Sequence, residues 1–595
     1  MIRKYIPLIL ILLACAPMMF IHSCANTTQA PTGGKKDTIP PSIVNIIPLP
    51  GATNAPLEGM KVAFEFNEYV TIKDAKNIFI SPPTAKAPQG KIKGKSLVVS
   101  IPDTLLPETT YTISINDAVG DNNEGNPYPG FSYVFSTGDR IDSMAITGTV
   151  LDCNTLKPVK GATVLLYKDH SDSAVFLHRP DAAIRTDDWG YFMIPFIQDT
   201  LYRLYALLDE NSDNKYSPGT ELIGFVSEPV RPTLVVSDTL KEFKKYMMDD
   251  TLGCTARLSQ YEIKLFKENP VKQYLNNRVR VSDRLAYITF SSRDTWIDSL
   301  WIAGYPYESV ITQFNLDQDS LLIWVNDQRL PPDTLDIWVN YRKSDTAGGF
   351  TPSLEKARVY IEGKKKMSSY ERTKNLQHKD TICNFKLTAS GDKVEQKGFE
   401  LEFDLPIIYE NFDSVKMWAI NPRQQEEPLT FDVEADSLDI RRYTIRPRTT
   451  YQAGYEYFIK IPDKCFQDIG GFWSDSTRTS VSLPNDPKLG SIKAVLTEVN
   501  TQYIVDLLDE KLTNVMRSYT IDKDVTLLFP YLGAGKYCLR FTRDENRNLL
   551  VDSGILLEHK QPEAVLFLKK NDDTLIELEE GFNIEERVNL QNMFK

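Results

Sequence analysis

Three residues at alternate positions carry the sharpest chemical suggestion in the chain: Asp209, Asn211 and Asp213, inside Asp209-Glu210-Asn211-Ser212-Asp213-Asn214-Lys215-Tyr216. Oxygen-bearing side chains at positions 1, 3 and 5 of a tight loop can aim hard donors at one calcium ion, and a later carbonyl such as that of Lys215 can join them. Position 6 of such a loop favours glycine; here it is Asn214, which tolerates a positive φ better than most residues. The bidentate acid expected at position 12 is replaced by Thr220, with Glu221 one place late. The competing reading needs no metal: Asp and Asn bond their own backbone in Asx turns, and a loop can stand on those bonds.

The pattern occurs twice. Tyr202 to Asn211 aligns with Tyr537 to Asn546: each strand starts at a Tyr and runs into Asp-Glu-Asn, with Gly219 and Gly554 ten residues after the respective Asp. A repeated supersecondary unit is the expected cause. The second copy offers Asp544, Asn546 and Asn548, one charge fewer, with Asp552 as its later acid, so its attraction for a cation is weaker.

Aromatic residues give a second candidate chemistry. Trp296, Trp301, Trp324 and Trp338 crowd into one stretch, and an exposed indole face can stack on a sugar ring; Trp301 and Trp324 are the candidate glycan-facing residues. Their period-two placement in strands is equally the mark of a buried core. Catalytic constellations are missing by type: no GxSxG elbow, no HExxH, no phosphate-binding glycine loop and no dinucleotide fingerprint occur. Only five histidines are available, and the abundant carboxylates form no distinguished pair, so the expectation is a protein without catalytic residues. Lys+Arg 68 against Asp+Glu 80 gives a net charge of −12, which leaves no electrostatic footprint for a nucleic acid.

The N-terminus reads as a secretory leader. Arg3 and Lys4 precede a 17-residue run without charge, Tyr5 to Ile21, which is interrupted by Pro7 and Pro17. Ile21-His22-Ser23-Cys24 resembles a bacterial lipobox, whose cysteine is acylated and becomes the new N-terminus. Leu12-Leu13-Ala14-Cys15 matches as well locally, but cleavage there leaves an apolar stub on the mature chain, whereas cleavage before Cys24 leaves a polar tether. Lipid on Cys24 would then hold an acidic protein at a membrane. No Asp follows that cysteine, which favours the outer membrane over inner-membrane retention. Cys153, Cys254, Cys383, Cys465 and Cys538 are odd in number and far apart, and read as buried apolar fillers.

Beyond the tether, 24–39, short alternating stretches separated by Pro, Gly, Asn and Asp recur down the chain, as in Lys61 to Phe66, Thr110 to Ile115 and Leu321 to Val325. Only Leu258 to Leu275 and Asp506 to Arg517 offer modest helical spacing. The fold class is therefore all-β, a tandem of β-sandwich modules. Composition shifts and linkers divide it at 40–139, 141–238, 245–362, a basic linker at 363–380, 381–484 and 487–595.

Residues 40–139 resemble the SbsA-type bacterial Ig-like domain through PPSIVNIIPLPGATNAP, VAFEFNEYV, TTYTISINDAVGDNNEGNP and FSYVFSTGD, in that order and spacing. Residues 141–238 and 487–595 resemble the transthyretin-like, carboxypeptidase-regulatory-like sandwich, while 245–362 is a sandwich by pattern alone. In 381–484, Thr449-Thr450-Tyr451 and Asp468-Ile469-Gly470-Gly471 echo Thr109-Thr110-Tyr111 and the Asp121 region, suggesting a second Ig-like copy. With the tether after the lipobox cysteine, the whole is similar to Bacteroidota envelope lipoproteins built on such domains. That resemblance implies adhesion, spacing or assembly more than catalysis; a glycan-acquisition component is the alternative reading, and an enzyme with an unrecognised site in 245–484 a third.

Overall fold

The segment Lys61–Phe66 shows why these strands form: Val62, Phe64 and Phe66 point into a core while Lys61 and Glu65 face outward, the two-residue period of a half-buried strand. The computed structural model describes residues 37–234, 259–361 and 382–595, apart from positions 116, 130, 328, 346–348, 571 and 572. Cys15, Cys24 and Cys254 lie outside the described residues. The fold is all-β, with 48% strand and 4% helix. The described residues divide into a unit built on 37–144, with 195–198 and 234, and a second unit holding the rest.

In the first module, Ile43–Ile47, Lys61–Phe66, Ser96–Ser100 and Gln89–Lys93 form one sheet in that spatial order. Phe79–Ser81, Thr110–Ser114 and Ser132–Ser136 form the other, all pairs being antiparallel. In chain order the seven strands are A to G, and the sheets are ABED and CFG, the constant-type immunoglobulin arrangement. Val62, Phe64, Leu97, Val99, Ile113, Tyr133 and Phe135 are fully buried between them. Each such side chain contributes about 1.5–3 kcal/mol. A short ribbon, Val70–Ile72 with Val119–Asp121, is added at one side.

Two further modules repeat this order. Leu275–Arg280, Leu285–Phe290, Ser320–Val325 and Val310–Phe314 make an ABED sheet over Ile297–Ile302, Thr334–Ser344 and Phe350–Tyr360. The region read as a sandwich of unknown type is thus immunoglobulin in topology. The fourth module sets Phe385–Thr388, Phe399–Phe403, Arg442–Pro447 and Phe431–Ala435 against Glu426–Leu429, Lys416–Ile420, Glu456–Ile461 and Thr477–Ser482, and even keeps the small ribbon, Ile407–Glu410 with Phe466–Asp468.

The true match between the first and fourth modules lies six residues beyond the one suggested by Thr449-Thr450-Tyr451. The Tyr111 hydroxyl accepts the Leu106 N–H at 2.9 Å, and the Tyr457 hydroxyl accepts the Gln452 N–H at 2.7 Å, each bond reaching back five residues. Tyr457, not Tyr451, therefore corresponds to Tyr111.

The second and fifth modules share another topology. Met144–Asp152 is flanked by Tyr191–Ile197 on one side and, on the other, by the short Thr233–Leu234 and the parallel strand Tyr261–Leu265; Gly490–Thr497 lies between antiparallel Val525–Leu532 and parallel Asn583–Asn589. Each module pairs this sheet with a second one: Ala182–Arg185, Thr163–Tyr167, Arg203–Leu208 and Leu222–Phe225 in one, Val515–Ile521, Gln502–Asp509, Gly535–Asp544 and Val565–Phe567 in the other. The parallel partner Tyr261–Leu265 places residues 261–265 in the second module, beyond the boundary drawn at 238. Neither stretch with helical spacing is a helix: the first holds the strand Tyr261–Leu265 followed by irregular chain, and the second is two strands joined by a turn, whose apolar residues find sheet partners that outweigh a weak propensity. Cys153, Cys383, Cys465 and Cys538 are buried free thiols.

Candidate functional site

The loop after Arg203–Leu208 is held by its own carboxylates. Asp209 accepts the N–H of Ser212 at 2.6 Å and of Asn214 at 2.9 Å; Asn211 accepts that of Asp213 at 2.9 Å, and Asp213 that of Lys215 at 2.8 Å. Ser212 and Asn214 both adopt positive φ, 62° and 57°, so Asn at position 6 does take the left-handed turn its side chain allows. Glu221, 2% exposed, closes the loop by accepting the N–H of Glu210 and of Ser217. Burial raises its pKa, the Ser217 N–H pulls it down, and the negative Asp209 raises it again; the net shift is upward.

The C-terminal copy reproduces the design. Asp544 accepts the N–H of Asn548 and Leu549, at 3.1 and 2.9 Å, and Arg547 and Leu549 take the left-handed conformation at the same offsets as Ser212 and Asn214. Its buried acid is Glu563, bonded to the N–H of Glu545 and Asp552. Desolvation again raises that carboxyl above its ordinary value. Spacing alone misses Glu563 because a longer loop separates it from Asp544; its signal is its place just ahead of the next strand, two residues before Val565, as Glu221 directly precedes Leu222.

Asp209, Asn211 and Asp213 are thus brought into one loop, but their carboxyl and amide oxygens are directed at backbone N–H groups. Among the described residues no group of three His, Cys, Asp or Glu side chains is placed to hold a metal ion. The donor set fits a hydrogen-bonded loop.

The Ig-like modules use the same device. Asp121, 2% exposed, accepts the N–H groups of Asn123, Glu124, Gly125 and Asn126. Desolvation pushes its pKa up, but the four donors outweigh it and hold the carboxyl below its usual range. Asp468 accepts from Gly470 and Phe472, and there burial wins, raising its pKa despite those bonds and the Arg284 guanidinium.

Of the two tryptophans proposed to face a glycan, Trp324 is fully buried, with the Arg441 guanidinium over its ring at 5.7 Å, and has no face to offer. Trp301 is 38% exposed and stacks on Trp338, ring centroids 6.2 Å apart, with the Lys356 ammonium 5.5 Å from the Trp338 centroid. A shallow cavity of about 390 Å³ in the first module is lined by Tyr69, Val70, Thr71, Ile72, Ile92, Gly94 and Asn122, of which Tyr69 alone carries a titratable side chain.

Sheets in immunoglobulin order and hydrogen-bonded polar loops define a multi-module β-sandwich protein. Within it, residues 37–137 match the bacterial Ig-like domain family. No curated protein matches the chain. Among solved structures, the N-terminal part of the bacterial S-layer protein SbsC aligns at 13% identity and a TM-score of 0.13, covering 32% of this chain and 40% of its own. The chain therefore spans less than half the length of that structure. The major pilin subunit BcpA of Bacillus cereus aligns at 10% identity and TM-score 0.15, over 75% of this chain and 98% of its own. SGBP-B of the Bacteroides ovatus mixed-linkage glucan utilization locus, solved with a heptasaccharide, aligns at 8% identity and TM-score 0.18, over 66% and 89%.

Proposed function

We propose that this chain is a non-catalytic lipoprotein of the bacterial outer membrane, anchored through Cys24, whose modules serve as a structural or recognition body for other envelope components. The observation that carries this reading is the repetition of two sandwich types with their polar side chains spent on loop hydrogen bonds. An acidic surface, net charge −12, suits attachment by lipid better than by charge. The test joins labelling to capture: labelled palmitate enters the wild type and is lost in Cys24→Ala, and cross-linking in intact cells yields envelope proteins. Label kept in Cys24→Ala but lost in Cys15→Ala would move the anchor, and label in neither wild type nor variants would remove it.

A second reading, glycan binding, is favoured by one observation: Trp301 keeps part of its indole exposed beside Trp338. Glycan-array binding lost in Trp301→Ala but kept in Trp338→Phe would support it.

A further inference from the structure

The second and fifth modules, copies of one topology, touch each other within the second unit although two Ig-like modules separate them in sequence. The contact has two patches. In the first, Glu268 lies just past the last strand of the second module and accepts the Tyr216 hydroxyl and the Leu556 N–H, both at 2.6 Å. Beside it, Phe266 packs edge-on against Phe225, and the His559 ring meets Phe225 in the same way. Gly554 is required there, because a Cβ would stand 2.5 Å from the Phe266 ring and 2.7 Å from the Lys560 carbonyl. Gln561 donates to the Phe225 carbonyl at 3.0 Å, and His559 faces Asp172 at 3.0 Å. In the second patch, Leu156 packs against the buried cluster of Leu508, Cys538 and Phe567, and the Lys157 ammonium donates to the Lys511 carbonyl at 2.7 Å.

Tyr216 belongs to the Asp209 loop, and Asp552, Gly554 and Leu556 continue the Asp544 loop. The two polar loops that suggested cation binding therefore meet through one carboxylate. Their internal hydrogen bonds fix Tyr216 and the Leu556 amide where Glu268 can join them.

We propose that the paired Asp209 and Asp544 loops are an intrachain clasp, that Glu268 is its latch, and that the clasp keeps the four modules of the second unit closed. The occupant of the docking face formed by Tyr216, Phe225, Phe266 and Glu268 is residues 554–561 of the same chain. Because Glu268 is the one acceptor shared by both modules at this patch, its loss opens the contact without unfolding either sandwich.

The experiment uses the full chain carrying Lys157→Cys and Lys511→Cys, treated with a short bis-maleimide, with each single variant as control. The expected product is an internally linked monomer. Adding Glu268→Ala lowers its yield and speeds exchange of the Leu556 amide roughly tenfold, the shift one charge-assisted hydrogen bond gives, while Glu268→Gln, which still accepts, restores most of both. Exchange in Arg203–Leu208 and Gly535–Asp544 stays at the wild-type level in both variants, which separates opening from unfolding. Gly554→Val, aimed at the Phe266 contact, gives the same opening. A cross-linked product running as a dimer, no double-Cys product, or a yield indifferent to both Glu268→Ala and Gly554→Val would overturn the clasp.

Discussion

Asp209 and Glu221 interleave in one loop: the first takes the N–H groups of Ser212 and Asn214, the second those of Glu210 and Ser217. Between them they satisfy the backbone donors of a turn that no ladder could reach. Removing either leaves exposed or half-buried turn N–H groups to water, at about 0.5–1.5 kcal/mol for each bond lost.

Asp209→Ala should therefore loosen the loop by about 1–2 kcal/mol, seen as faster amide exchange at Ser212 and Asn214. Chelation of divalent cations from the wild type should leave those rates unchanged. Slower exchange on adding millimolar calcium would show instead that the loop loads a cation.

The carboxyls predict opposite responses to acid. Glu221 and Glu563 have folded-state pKa values above the ordinary value, so the folded chain takes up their protons first as pH falls. Their contribution to stability is complete below the unfolded glutamate value of about 4.3 and is lost as pH rises through the folded value. Asp121 is depressed, so its contribution is present above the unfolded aspartate value of about 3.9 and is lost as pH falls through the folded value. In an acid titration followed by hydrogen exchange, amides 123–126 should deprotect while those of Glu210 and Glu545 hold. The reverse order would contradict the assignment.

Tyr111→Phe and Tyr457→Phe each delete one acceptor for a turn N–H and should cost about 1–2 kcal/mol. The residues lie in different compact units, so calorimetry of the intact chain should show two separate transitions lowered independently. A single shift common to both variants would argue against that independence.

Trp324→Ala should cost about 3–5 kcal/mol, the range for emptying a large aromatic site. Trp301→Ala should cost far less, since part of its ring is already in water. Denaturant midpoints of the two variants decide it; equal losses would mean Trp301 is held as firmly as a core residue.

Strand alternation makes most of the fold legible, and Lys61 to Phe66 is its clearest case. The placement of Trp338, outward between inward Ile337 and Val339, is known only from the structure, since alternation leaves the tryptophans open between core and surface. Alternation fails at Trp324, whose parity with Leu322 points it out of its own sheet; Arg441 of the next module covers it, and a strand pattern cannot register a neighbour more than a hundred residues away. Asp209, Asn211 and Asp213 are readable as one loop, because their spacing is local. Glu563 and Glu268 are not, because each acts through contacts that only the folded modules create.

The parallel strands Tyr261–Leu265 and Asn583–Asn589 bear on how the protein is made. Each is the last strand its module receives in chain order, yet each pairs with that module's first strand, Met144–Asp152 or Gly490–Thr497. A ribosome, or a secretion channel threading the chain from its N-terminus, delivers Gly490–Thr497 with one edge bare until Asn583–Asn589 follows, whereas Met144–Asp152 is met sooner, by Thr233–Leu234. Such an edge is a template for wrong pairing. Holding it for that interval is work for a chaperone, and delivery of the final strand is the event that ends the need.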